Sequence, residues 1–67
     1  MDTENYNGYQ IWGHAIAQEG RFAASGTVTA GVKLVDGSGV LLICDTEEEA
    51  RAVGLAWARA WVDSHGK

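Results

Sequence analysis

The chain has 67 residues, enough for one small domain, and nine acidic against five basic residues give it a formal charge of −4. Its cations Arg21, Lys33, Arg51, Arg59 and Lys67 are scattered, so it lacks the broad positive footprint that a nucleic-acid partner requires. A hydrophobic content of 46% argues against disorder, and a single cysteine, Cys44, leaves nothing to pair with inside the chain.

The first five residues, Met1-Asp2-Thr3-Glu4-Asn5, are polar and acidic, and fraying is expected there. No apolar run follows them, so no secretory signal is expected. No stretch reaches the length of a membrane span. A cytoplasmic protein without a membrane partner is the natural expectation.

From Tyr9 to Gln18 the aromatic and β-branched residues predict a strand. Tyr9, Ile11, Gly13, Ala15 and Ala17 fall on one face, with Gln10, Trp12, His14, Ile16 and Gln18 on the other. The small-residue face suits a helix lying close above it, which sets Trp12 and Ile16 on the outer face. Gln18-Glu19-Gly20-Arg21 reads as a tight hairpin turn. Extended chain is then expected within residues 21–35, with Phe22, Ala24, Gly26 and Val28 facing the core and Ala30-Gly31 as a bulge or a turn. Asp36-Gly37-Ser38-Gly39 is a loop signal. Within residues 39–45 the apolar run Val40-Leu41-Leu42-Ile43-Cys44 has strand length, and such runs are usually central or covered on both sides.

A helix is predicted over residues 46–65. Thr46 and Glu49 have the spacing of a capping box, and Glu47, Glu48 and Glu49 put negative charge where the helix dipole favours it. Ala50, Val53, Gly54, Trp57, Ala60 and Trp61 share one face at helical spacing, and this stripe is expected on the sheet. Strands followed by one helix, without βαβ alternation, predict a single α+β domain over residues 1–67. It would hold a three- to four-stranded antiparallel meander with one C-terminal helix packed on one face.

Tyr6, Gly8, Tyr9 and Ile11 at the front form a Tyr-x-Gly-Tyr-x-Ile opening. At the back, Thr46, Glu48, Glu49 and Ala50 start a Thr-x-Glu-Glu-Ala helix that closes on Trp61, Val62 and Asp63. In these motifs the chain resembles a group of small, uncharacterised proteobacterial β-β-β-α proteins. That resemblance implies a fold and brings no activity. The helix opening is also similar, more weakly, to that of HicB-type antitoxin domains, but their Pro-Asp-Leu-Pro-Gly-like middle segment is missing.

Side chains that carry chemistry elsewhere have ordinary explanations here. Cys44 near a helix start is a candidate nucleophile, yet three neighbouring glutamates oppose a thiolate, and a small buried hydrophobe is the simpler role. His14 pairs with no His, Cys or Asp at metal-ligand spacing, and His65 is expected in solvent. Asp45 and Glu47–Glu49 serve the helix start rather than a cation cage. Gly37-Ser38-Gly39 matches no phosphate-loop pattern. No catalysis, cofactor or metal is therefore expected.

Leu55, Ala58 and Val62 form a second apolar strip on the helix. With Trp12, His14 and Ile16 they are the candidate interaction surface, since a contiguous apolar patch marks an interface. The expected role is a protein-interaction or accessory module that binds an unknown protein partner or forms a homodimer. The alternative is a small-molecule or peptide binder using the open sheet face around Trp12 and His14.

Overall fold

In a computed structural model of the chain, residues 2–65 are described. The elements run β1 (Asp2–Tyr6), β2 (Tyr9–Gln18), β3 (Arg21–Ala30), β4 (Lys33–Gly37), β5 (Leu42–Cys44) and α1 (Glu47–His65). Strands β1-β2-β3-β4 form an antiparallel meander, and β5 also pairs antiparallel with β3, making a five-stranded sheet with the helix on one face. The fold is α+β, with more strands than the three or four expected.

The extra strand is β1, in the segment expected to fray; Met1 alone of it lies outside the described residues. Asn7 and Gly8 both adopt left-handed φ, 51° and 87°, the geometry of a two-residue type I′ hairpin turn that Asn-Gly favours. This turn sets Thr3 opposite Trp12 and Tyr6 opposite Tyr9. Two long-range bonds tie β1 to the helix. The Arg59 guanidinium donates to Glu4 at 2.8 Å, and the Tyr6 hydroxyl donates to Asp63 at 2.8 Å. The second bond joins the front and back motifs of the sequence.

The β2–β3 hairpin follows expectation, with left-handed Glu19 (φ 49°) and Gly20 (φ 82°) forming the turn. The stretch 21–35 is divided by Gly31, whose φ is 62°, and β4 runs on to Gly37, beyond the expected loop start. The register of β4 shifts opposite Val28 and Thr29, a bulge that accommodates one more residue, Val35.

Strand β5 is neither central nor covered on both sides. It follows β4 along the same edge of β3, pairing Leu42, Ile43 and Cys44 with Ala24, Ala23 and Phe22. Val40, Leu41, Leu42 and Ile43 are exposed and only Cys44 is buried. Ser38 and Leu41 bridge the gap between β4 and β5. Ser38 accepts from the buried Gly26 N–H through its hydroxyl and donates its own N–H to the Gly26 carbonyl, while Leu41 N–H donates to Ala24 O.

The helix begins as its cap predicts, with the Thr46 hydroxyl accepting from Glu49 N–H at 3.1 Å. Its phase differs from expectation. Ala50, Gly54, Ala58 and Val62 are the buried positions, a row of residues four apart. Trp57 and Trp61 are half-buried beside that row, and Ala60 is exposed.

The reason is the closeness of the two layers. Gly13 and Gly26 are direct cross-strand partners, and Gly54 stands over them. A Cβ on Gly54 would fall 3.0 Å from Gly13 Cα and 2.8 Å from the Ser25 carbonyl carbon. A Cβ on Gly26 would fall 2.8 Å from the Trp57 ring. Only a glycine-and-alanine stripe fits at that separation, so the indoles are displaced to its flank. Around this contact lie the buried cluster of Ile11, Val28, Ala58 and Val62 and a smaller one of Ala24, Cys44 and Ala50.

Gly54→Ala should separate packing from propensity. Alanine favours an isolated helix by about 1 kcal/mol, yet here its methyl meets backbone on the neighbouring strand. Urea denaturation should show a net loss of stability, because an overpacking cost at the upper end of about 1–3 kcal/mol outweighs the propensity gain. Unchanged or increased stability would contradict the close approach.

Candidate functional site

Because Ile11 and Gly13 face the helix, alternation along β2 turns Gln10, Trp12, His14 and Ile16 to the opposite, uncovered face. Their cross-strand partners on β3 are Thr29, Thr27, Ser25 and Ala23. The outer face is held by side-chain bonds between neighbouring rungs. Trp12 Nε1–H donates to Thr29 Oγ1 at 3.1 Å, and Thr29 in turn donates to Gln10 Oε1 at 3.5 Å. His14 Nε2 lies 2.9 Å from Thr27 Oγ1. These links fix the Trp12 and His14 rings against β3, and both are half-buried without a second layer above them.

Next to this aromatic–threonine patch runs an apolar row. Ile16 pairs with Ala23, and Ala23 pairs with Ile43 of β5. Ala23 is fully buried between them, whereas Ile16 and Ile43 remain 48% and 39% exposed. At the other end Leu34, 66% exposed, stands opposite Thr29.

Charge is nearly absent from this face. Among the outward positions of the described strands only Arg21 is charged, and it donates to Asp45 at 2.9 Å at the hairpin end. An open depression of about 420 Å³ lies at that end, lined by Gln18, Glu19, Arg21 and Ile43, away from Trp12 and His14. Apart from Glu19 and Asp45 at the hairpin end, the described carboxylates bond or lie on the helix side of the sheet. Glu47, Glu48 and Glu49 occupy the first turn, with Glu47 paired to Arg51 at 3.0 Å. Glu4 and Asp63 bond to Arg59 and Tyr6, and Asp36 accepts from Trp61 Nε1–H at 2.8 Å.

Of the candidate surface residues, Trp12, His14 and Ile16 are brought together on the open face. Leu55, Ala58 and Val62 are not. Ala58 and Val62 are fully buried, and Leu55 is half-buried against the same core. Their strip lies under the helix because the glycine contact turns it there. Ile43 and Leu34 are the outer-face residues that sequence reasoning missed. The uniform apolar run around Ile43 gives no clue to register, and the bulge at Val35 reverses the alternation that would have placed Leu34.

A Cys–His dyad does not form, because Cys44 and His14 stand on opposite faces of the sheet. Cys44 packs against Ala24 and Ala50, and burial pushes its thiol pKa up, with the Glu49 and Asp45 charges adding to the shift and Arg21 opposing it. Among the described residues no group of three His, Cys, Asp or Glu side chains is placed to hold a metal ion. No described helix is long and apolar enough to cross a membrane. No family model, curated protein or solved structure matches this chain.

The Cys44 thiol should resist a disulfide reagent at mildly alkaline pH in the folded protein and react at once in urea. The raised pKa also fixes a pH dependence. The folded state holds this proton more tightly than the unfolded state, so its stabilising contribution is complete below the ordinary thiol value of 9.0 and declines as pH rises above it. Cys44→Ala should flatten that alkaline decline in denaturation curves; an unaltered decline would remove Cys44 as a cause.

Proposed function

We propose that the chain is a non-catalytic protein-interaction module of the cytoplasm, with the outer face of the sheet around Trp12, His14 and Ile16 as its contact surface. The observation that carries this reading is the one-sided cover of the sheet. The helix packs on one face, and the other presents an indole, an imidazole and exposed isoleucines in a nearly uncharged field. Depletion of charge at the centre with aromatic enrichment is the compositional mark of a protein interface. The polar groups there are already bonded to one another, so a partner covering them leaves few of them unsatisfied.

The resemblance to small proteobacterial β-β-β-α proteins belongs to the same proposal. Its motif residues act here as fold determinants: Tyr6 bonds Asp63, Gly8 makes the first turn and Thr46 caps the helix. A buried free thiol at Cys44 suits a reducing compartment.

A photo-crosslinking amino acid at position 16, on the open face, should give protein adducts in the cell, whereas one at position 52, on the exposed side of the helix, should give none. Adducts from position 52 alone, or from neither, would overturn the assignment of the surface.

A further inference from the structure

We infer that the occupant of the open face is a second copy of this chain, the two sheets packed face to face about a two-fold axis. The inference rests on the interaction reading above and names its partner.

Charge comes first. The chain is acidic overall, so two copies repel unless they meet where the carboxylates are not. On the outer face the charged strand residue Arg21 is paired with Asp45 at the rim. Face-to-face packing would place the sheets about 10 Å apart and leave both helix layers, with Glu47, Glu48, Glu49 and Asp63, on the outside of the assembly. Contact through the helices would oppose those carboxylates directly.

Core size points the same way. Among the described residues the large side chains that are fully buried are Ile11, Val28 and Val62, because the glycine contact leaves little depth between the layers. Chains of this length commonly gain the missing stability from disulfides, metals or association. Cys44 has no partner within the chain. The apolar side chains that would thicken the core, Ile16, Ile43 and Leu34, stand exposed on the outer face.

The sheet edges are poorer candidates. β5 offers three residues for pairing, and short edge strands discourage edge-to-edge association. β1 carries Glu4, already committed to Arg59.

Sedimentation equilibrium of the purified chain, from low micromolar to near-millimolar concentration, tests this. A mass of twice the chain is expected. Ile16→Glu and Leu34→Glu alter exposed positions at opposite ends of the face, so circular dichroism should show both folded. Each should weaken the dimer at least about tenfold by placing an unpaired carboxylate inside the contact. Leu42→Glu, on the sheet edge, should leave it intact.

A monomer at every concentration overturns the inference while leaving the interaction reading to the crosslinking result, where an adduct of another mass would identify a different partner. A dimer lost in Leu42→Glu but kept in Ile16→Glu and Leu34→Glu assigns the contact to the edge and overturns it equally. A mass that climbs beyond the dimer excludes a closed two-fold pair.

Discussion

Helix and sheet meet almost backbone to backbone, and the rest of the structure is arranged around that closeness. Gly13, Gly26 and Gly54 come from three different elements and share one point of contact. A glycine in mid-helix costs about 1 kcal/mol relative to alanine, so Gly54 weakens the helix it belongs to and is offset by the packing it permits. With no room between the layers, the large rings move to the flank. Trp57 lies over Gly26. Trp61 meets Tyr9 edge to face at 5.9 Å, stacks on His65 at 4.4 Å and donates to Asp36. These rings pack beside the stripe where the layers themselves are too close to admit them.

The same contact gives the sheet two unlike sides. One is lined with glycine and alanine at the point of closest approach and answers to the helix. The other is held by side-chain bonds among Gln10, Trp12, Thr29, His14 and Thr27. Its order is internal to the sheet and needs no second layer, so rings and hydroxyls are already positioned before anything covers them. Preorganisation of this kind lowers the entropy lost on association.

Much of the fold was legible in the sequence because local chemistry agreed with global structure. The limits of β2, the Glu19-Gly20 turn and the Thr46 cap could each be read from a few neighbouring residues. Asn7-Gly8 carried an equally local hairpin signal, but the acidic Asp2–Asn5 segment before it looks like a tail until Arg59, the partner of Glu4, is known. The helix phase was misread because hydrophobicity ranks tryptophan above alanine, whereas separation set by Gly54 ranks size first. The same error placed Ala58 and Val62 on the surface. Trp12, His14 and Ile16 were legible by alternation alone. Ile43 and Leu34 depend on register and on a bulge, which single-sequence patterns do not encode.

The bonds between β1 and the helix span nearly the whole chain, with Tyr6 and Asp63 separated by 57 positions and Glu4 and Arg59 by 55. Loops that long close at an entropic cost that must be met before the contact returns anything. During synthesis the strands emerge first, and their glycine-lined bed stays uncovered until the helix has left the ribosome. Assembly of this domain therefore waits on its helix, and a truncation that removes the helix's last turns would deprive the first strand of its anchors.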